Sequence, residues 1–322
     1  MPSVKLTRTS LVVPSSFTTG RSVVAAEKPR SERTRCQYSS SAYTPLVCLL
    51  LCVATHVAPA AAQDTTRLMA SLEAITDGND GEARRDAIVA QLESVGVEPR
   101  VEPFGQGRTA GANIVVTLGS GAKTIVLGAH YDRVREGRGA VDNGAACAAL
   151  IEIVAAVKAL RLQQLTLQVV FFDREENGLQ GSRAFFAAGH RADYALNVDV
   201  FAYGDSIFAT RSHPDGLLVR WLHLVGRETG LPVRDVPRER YPASDHQTMM
   251  NAKIETLGIG LVDAADIDGI LSMSGSQKPS QAPRILTIIH TPNDTLAEVR
   301  PEQMMRGIVL VERLIRTVDD SQ

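Results

Sequence analysis

The chain has 322 residues, of which 34 are Lys or Arg and 36 are Asp or Glu, giving a formal net charge of −2 at pH 7. This balance argues against nucleic acid and anionic membrane surfaces as partners, because proteins bind both through basic surfaces. It is compatible with a site that binds cations.

Residues 1–62 are predicted to be a leader with a signal peptide that is removed on export. Basic residues precede a short apolar run, LVCLLLCVATHV at 46–57, and an A-x-A cleavage site follows at 60–62. The run is shorter than the roughly 20 apolar residues that span a bilayer. We therefore expect no stable membrane anchor after processing; a membrane anchor or a buried helix is the alternative.

The mature chain, predicted at 63–322, retains 27 basic and 34 acidic residues, a net charge of −7, and a single cysteine, Cys147. One cysteine forms no internal disulfide, so this is not a disulfide scaffold. The length suits one compact domain, with a monomer favoured. The protein is expected to be exported and to be either periplasmic or secreted.

Hydrophobic periodicity predicts helices and strands that alternate along the mature chain. Helices are predicted at 66–77, 81–95, 142–160, 181–189, 215–230 and 301–318, and strands at 101–104, 112–118, 123–129, 165–172, 194–201, 254–262 and 284–290. Strands that are apolar throughout and alternate with helices are typical of parallel sheets. We predict a single α/β domain whose mixed, mainly parallel central sheet is flanked by helices on both faces.

Acidic and histidine side chains stand where the predicted strands end. They are His130 and Asp132 after 123–129, Glu175 and Glu176 after 165–172, Asp199 in 194–201, His290 at the end of 284–290, and Asp142 at the start of the long helix. Ligands of open α/β sheets bind beyond the carboxyl ends of the strands, so these groups should converge. Each alone has an ordinary explanation, such as solvation or helix capping. Together they indicate a site.

Histidine and carboxylate without thiolate form a ligand set suited to zinc, with cobalt or manganese as substitutes. Three carboxylates and two neutral imidazoles bring a charge of −3, against +4 for two divalent ions. One bridging hydroxide makes the total nearly neutral. This count favours two Zn²⁺ ions over one.

Six motifs carry a family resemblance. They are GAHYD (128–132), VDNGAA (141–146), EENGLQGS (175–182), NVD (197–199), SDH (244–246) and HTPNDT (290–295). In order and spacing they resemble the motifs of the zinc aminopeptidase family that includes aminopeptidase S and bacterial leucyl aminopeptidase. The glutamate carboxypeptidase II type is a more distant member. The resemblance extends from about residue 110 onward and implies a zinc exopeptidase fold, of the phosphorylase/hydrolase-like kind.

The resemblance implies a ligand set, residue by residue. Asp142 would bridge two zinc ions. His130 and Asp199 would complete the site of one ion, and Glu176 and His290 the site of the other. Family members also carry a cis peptide bond directly after the bridging aspartate.

The resemblance also implies the catalytic roles. Glu175 would act as the general base toward a zinc-bridged water, and Asp132 would orient His130, as metal-bound histidines require. The implied reaction is hydrolysis of the N-terminal peptide bond of peptides. Of the two adjacent glutamates, one would bind metal and the other would handle the proton.

The residues that contact the substrate are less clearly marked. Some relatives have Arg just before SDH and Tyr just before the last histidine ligand, where this chain has Ala243 and Ile289. Tyr241 and Asp245 are the candidate substrate-binding residues. A carboxypeptidase needs a cation for the terminal carboxylate, whereas a free ammonium finds carboxylates at hand. We therefore expect peptide substrates with a free N-terminus.

Two other interpretations remain open from the sequence. A glutaminyl cyclase uses a related fold with a single zinc, and a non-catalytic binding protein can share the peptidase fold after losing ligands. Here all five ligand positions are filled. A serine hydrolase is disfavoured because no G-x-S-x-G occurs.

Overall fold

The computed structural model describes residues 60–78, 80–273 and 282–322. Its helices are α1 (Ala60–Asp77), α2 (Gly81–Ser94), α3 (Ala145–Leu160), α4 (Gln180–Ala187), α5 (Leu217–Thr229), α6 (His246–Asn251), α7 (Ala264–Met273) and α8 (Pro301–Asp320). Its strands are β1 (Arg100–Phe104), β2 (Gly111–Gly119), β3 (Lys123–His130), β4 (Leu165–Phe172), β5 (Tyr194–Phe201), β6 (Ser206–Arg211), β7 (Val233–Pro237) and β8 (Glu255–Val262). The part of the predicted signal peptide up to residue 59 lies outside the described residues. The predicted cleavage point, after Ala62, falls in the first turn of α1.

The eight strands form one mixed sheet in the order β1-β2-β4-β3-β5-β8-β6-β7. The four central strands, β4, β3, β5 and β8, run parallel, and the pairing of β6 with β7 is also parallel. Antiparallel pairings attach β1 and β2 on one side and β6 on the other. The predicted α/β fold with a mixed, mainly parallel sheet is confirmed.

Alternate side chains of the central strands pack on opposite faces of the sheet, as strand geometry requires. On β3, Ile125 and Leu127 belong to the main core, which also contains apolar residues of α1, α2, α3, α5 and α8. Val126, between them, packs on the other face with Phe185 of α4 and Met249 of α6. Both faces are therefore covered, which explains why these strands read as continuous apolar runs.

The segment 140–160, which contains α3, is long and apolar enough to cross a membrane by length and composition alone, but 89% of an apolar 18-residue stretch within it is buried inside the fold. Its residues Ala145–Val154 are all buried. Burial on every side explains the composition of this helix without a membrane.

The prediction of a strand at 284–290 is wrong. Residues Arg284–Thr287 form a 3-10 turn, whose first two backbone N–H groups, of Arg284 and Ile285, donate to the carboxylate of Asp266 at 2.5 and 3.3 Å. A side chain, not a neighbouring strand, thus satisfies the backbone. The run is apolar because Ile285 and Ile288 are buried in the core. The sequence analysis also missed β6, β7, α6 and α7.

Candidate metal centre and active site

The paired glutamates are fixed to the neighbouring strand by Asp132. Glu175 and Glu176 follow β4, and Asp132 follows β3, which lies next to β4 in parallel register. The Asp132 carboxylate accepts the backbone N–H of Glu175 at 2.9 Å and that of Glu176 at 3.1 Å. Its Oδ1 also lies 3.4 Å from Nδ1 of His130, whose nearer contact is the Asp132 carbonyl at 3.2 Å. Asp132 therefore orients the glutamate turn as well as the histidine.

Asp199 precedes a distorted point in β5. The register with β8 shifts between Val198 and Phe201, and Val200 has φ +52°. A β-branched residue rarely adopts this left-handed conformation, which costs of order 1–3 kcal/mol. The Asn143 amide supports it by donating to the Val198 carbonyl (3.0 Å) and accepting the Val200 N–H (3.2 Å). This support sets the direction of the strand at Asp199.

Asp142 does not open the long helix as predicted. It lies in a turn, Ala140–Gly144, with the extended φ of −120°, and α3 begins after it at Ala145. The peptide bond that follows, Asp142–Asn143, is cis, as the resemblance implied. The carboxylate of Asp294 accepts the backbone N–H groups of Val141 (2.6 Å) and Asp142 (3.3 Å). A carboxylate 152 residues away thus holds the backbone of this turn.

His290 comes from a loop rather than from a strand end. It has φ +57°, and its side chain is 53% exposed, which makes it far more accessible than the 2% of His130. The loop after it is closed by local bonds, among them Asn293 Nδ2 to the Thr287 carbonyl at 2.9 Å. His290 therefore covers the site from its solvent side.

The five predicted ligands converge in two groups that share Asp142. Oδ1 of Asp142 lies 3.2 Å from Nε2 of His130, which is also 3.5 Å from Oδ1 of Asp199. Oδ2 of Asp142 lies 3.1 Å from Nε2 of His290, which is also 3.2 Å from Oε1 of Glu176. In each group the potential ligand atoms lie within 4.8 Å of one another. Each oxygen of Asp142 thus serves a different group.

These separations fit metal ions. Ligand atoms at about 2.0–2.2 Å from a tetrahedral zinc ion lie about 3.3–3.6 Å apart, close to the distances within both groups. Oδ1 of Asp199 and Oε1 of Glu176 are buried, and each has a histidine nitrogen near it, at 3.5 and 3.2 Å. Buried carboxylate oxygens are costly unless a cation or a donor offsets the charge, and a bound metal ion would do so.

The excess of negative charge raises the pKa values of both histidines. Burial lowers the pKa of His130, but the surrounding carboxylates, Glu175 foremost, outweigh it and bring that pKa well above its ordinary value. The hydrogen bond to Asp142 raises the pKa of His290 to about 9. Burial alone would raise the pKa of Asp142, yet its bonds to both histidines hold it well below the ordinary value. The carboxylates thus favour the protonated form of both imidazoles.

The two glutamates also have raised pKa values. Burial, reinforced by Asp199, Asp245 and Glu176, raises the pKa of Glu175 to about 9 against the opposing effect of His130. Burial, reinforced by Asp142, raises the pKa of Glu176 to about 7. Bound cations would favour the ionised form of both groups and lower these values.

The two candidate substrate-binding residues differ in accessibility. Tyr241 lines an apolar cavity of about 370 Å³ that also reaches Asp199, Val200 and Phe208. Asp245 is fully buried. Burial raises its pKa to about 7. A free peptide therefore cannot reach Asp245 in this conformation, whereas it can reach the cavity beside Tyr241.

The sequence analysis gave no role to Asp294 or Asn143. Both are buried and belong to motifs quoted above, HTPNDT and VDNGAA. The signal was a short polar side chain four or fewer positions from a predicted ligand. Its partners, the backbone groups of Val141, Asp142 and Val200, are distant in sequence, so the pattern alone could not supply them.

A model of peptidase family M28 matches residues 113–312. Among curated proteins, the "Probable leucine aminopeptidase" of Arthroderma otae is 26% identical over 209 residues, which cover 60% of this chain and 53% of that protein. The chain therefore matches only about half the length of this relative.

Two solved structures show the likeness of fold. The LapA aminopeptidase of Legionella pneumophila superposes with a TM-score of 0.62 at 18% identity, covering 79% of this chain and 72% of that chain. The glutaminyl cyclase of Porphyromonas gingivalis superposes with a TM-score of 0.61 at 18% identity, covering 80% of this chain and 98% of that chain.

Proposed function

The chain belongs to peptidase family M28, and we propose on this basis that it is a zinc-dependent aminopeptidase with a two-ion centre. The observation that carries the proposal is the placement of Asp142. Its two oxygens face two different histidines at 3.2 and 3.1 Å, each within its own group of three ligands. This is the arrangement expected of a carboxylate shared by two ions.

The residues divide into two ligand sets around that carboxylate. His130 and Asp199 would hold one ion with Asp142, and Glu176 and His290 would hold the other. Two divalent ions bound there would polarise the scissile carbonyl and increase the acidity of an attacking water. The burial of the Asp199 and Glu176 oxygens beside the two histidines supports this assignment.

Glu175 is the proposed proton carrier. Its backbone is held by Asp132, and it does not belong to either ligand group, so its carboxylate is available for proton transfer. It would take a proton from water as the water oxygen attacks the carbonyl carbon. The same proton would then pass to the amide nitrogen as the C–N bond breaks, releasing a neutral amine.

The surroundings favour a substrate with a free N-terminus and an apolar first side chain. The carboxylates of Glu175 and Asp199 can attract an α-ammonium. Beside Asp199, the cavity of about 370 Å³ is lined mainly by apolar groups, among them Val200, Phe208, Tyr241, Ile285 and Ile289. Such a cavity takes a side chain of the size of Leu or Phe, whose burial is favourable by about 1.5–3 kcal/mol.

Glutaminyl cyclase is the second candidate, because the chain superposes on nearly the whole of one such enzyme. The two groups of three ligands favour two metal ions, whereas a glutaminyl cyclase requires a single zinc ion. Metal analysis of the purified protein separates the candidates: two zinc ions for the peptidase, one for the cyclase and none for a non-catalytic binding protein.

The direct test compares three kinds of substrate. An amino-acid anilide or dipeptide, its N-acetylated form and a C-terminally amidated peptide are incubated with the zinc-loaded protein. We expect cleavage of the free and amidated substrates and none of the acetylated one. Equal cleavage of acetylated and free forms would contradict the aminopeptidase assignment, and release of ammonia from an N-terminal glutamine would favour the cyclase.

A further inference from the structure

Arg84 of α2 is a buried cation outside the centre described above. Arg84 is only 1% exposed. Within the part of the chain that the structure describes, its guanidinium forms no ion pair with a carboxylate. Moving a guanidinium out of water costs several kcal/mol unless its donors are satisfied. A fully buried arginine therefore needs a reason to be there.

Among the described residues, the guanidinium donates only to backbone carbonyls, and all of them belong to one loop. Nε donates to the carbonyl of Tyr131 at 2.5 Å, Nη1 to that of Arg138 at 3.0 Å and Nη2 to that of Gly139 at 3.2 Å. We call residues 131–139 the ligand loop, because it joins His130 at the end of β3 to the turn that carries Asp142.

Both ends of the ligand loop meet at this guanidinium. Tyr131 lies between His130 and Asp132. At the other end, the Gly139 carbonyl also accepts the backbone N–H of Gly144, and so closes the turn around Asp142. Arg84 thus joins the backbone next to two predicted ligands that come from different elements.

Only arginine can make this set of contacts. Its donors form a rigid planar fork, whereas lysine offers three donors on one nitrogen and cannot reach carbonyls at separate points. Burial lowers the pKa of Arg84, and nearby groups that include Asp132 and Asp294 oppose that shift. Arginine stays charged at ordinary pH values, so a permanent cation lies near the acidic centre. The helix that carries it, α2, precedes the segment matched by the family model.

We propose that Arg84 is a positioning residue of the metal centre, which holds the ligand loop so that His130, Asp132 and Asp142 keep their mutual geometry. This inference rests on the proposed function only in taking these residues as the metal centre. It predicts that Arg84 contributes to metal affinity without touching the metal.

The test measures Zn²⁺ affinity of the metal-free protein against a competing chelator for Arg84→Met and Arg84→Lys. Groups that orient metal ligands typically contribute about 10–100-fold to affinity, and we expect a loss of that size in both variants. Arg84→Lys keeps the charge, so it remains informative if Arg84→Met does not fold. Its loss of affinity would assign the effect to the fork and not to the charge alone.

Leu92→Ala is the matched control. Leu92 lies on the same helix and is fully buried in the apolar core. Its truncation should lower the melting temperature through a cavity while zinc affinity stays that of the wild type. Equal losses in Leu92→Ala and the Arg84 variants, or wild-type affinity in Arg84→Lys, would overturn the positioning role.

His130→Ala separates this inference from the proposed function. If His130→Ala loses zinc while both Arg84 variants bind it normally, only the role of Arg84 is wrong. If His130→Ala keeps full zinc affinity, the metal centre itself is wrong, and the role of Arg84 falls with it.

Discussion

The residues of the centre are held in two different ways. One group, His130, Asp199 and the paired glutamates, lies at or just beyond the ends of hydrogen-bonded strands. The other group, Asp142 and His290, lies in turns that side chains hold in place. We call these groups the strand-end half and the turn half of the centre. The sheet ladder fixes the strands that lead into the first half through many backbone hydrogen bonds, and Asp132 and Asn143 support the backbone where the ladder stops. The second half depends on a few contacts, such as those of Asp294. Substitutions remote from the ligands should therefore disturb the turn half more.

The largest effect is expected at the residue that joins the halves. Asp142→Asn replaces one carboxylate oxygen by an amide nitrogen, which cannot ligate a cation, so one ligand set loses a ligand and the other keeps only a neutral oxygen. We expect zinc content to fall below two ions per chain and peptidase activity to be lost, as with a chelator. Metal analysis and anilide hydrolysis measure this.

Asp215→Asn, at an exposed position, is the control and should keep both zinc content and rate. An Asp142→Asn protein with two zinc ions and a normal rate would show that this carboxylate does not bridge.

The next-largest effect is expected at the two adjacent glutamates of the strand-end half, which should respond differently to substitution. Glu175→Gln should keep zinc but lower kcat by about 10²–10⁴-fold, because general-base catalysis contributes that much. Glu176→Gln should weaken zinc binding, because it removes a ligand charge from the second group. Zinc affinity and kcat at saturating zinc are measured for both. The opposite pattern would mean that the two glutamates exchange roles.

The same division explains what the sequence could predict. The strand-end ligands follow apolar runs that are recognisable by composition, and parallel register brings their ends together, as with His130 opposite Phe172. The central sheet and most helices were predictable for the same reason. Periodicity reports burial, and in this fold burial and regular structure coincide over the core strands.

In the turn half, burial and regular structure do not coincide. Residues 284–290 are apolar because Ile285 and Ile288 enter the core, but Asp266 holds their backbone in a turn, so the prediction of a strand failed. The backbone around Asp142 likewise depends on Asp294, far along the chain. His290 and Asp142 were still found, because the motif resemblance supplied them without requiring the local conformation.

Asp294→Asn tests the dependence of the turn half directly. Asparagine offers one acceptor in place of two and presents an N–H₂ group to a backbone donor, so the turn around Asp142 loses a hydrogen bond. We expect zinc affinity to fall about 10–100-fold and the free energy of unfolding to fall by about 1–3 kcal/mol. Competition with a chelator and urea denaturation of the metal-free protein give the two quantities.

Asp319→Asn is a closely matched control. The carboxylate of Asp319 is also buried and also accepts backbone N–H groups, those of residues 163–165 at the start of β4, the strand end opposite the glutamates. We expect a similar loss of stability with unchanged zinc affinity. If both variants lose zinc affinity equally, the turn half is no more sensitive than the rest of the fold.

The smallest effect is expected at Asp245, a fully buried residue whose charge acts on Glu175 of the strand-end half. Its negative charge raises the pKa of Glu175. Asp245→Asn removes that charge at constant shape, so above about pH 7, where Asp245 is ionised, Glu175 should lose its proton more readily and the kcat–pH profile should shift to lower pH, by less than about one unit. KM should stay unchanged, because the side chain is fully buried. A rise in KM with an unmoved profile would instead indicate the substrate contact that the sequence suggested.

Stability gives the same residue a second, independent test. The pKa of Asp245 is raised from its ordinary value to about 7 in the fold. A raised pKa contributes stability that is complete below the unfolded value, about 3.9, and is lost as pH rises through about 7. Asparagine does not ionise, so Asp245→Asn should gain stability over the wild type between pH 4 and pH 8. Melting temperatures of the metal-free proteins at both pH values measure this, and a difference that does not grow with pH would contradict the raised pKa of this buried carboxyl.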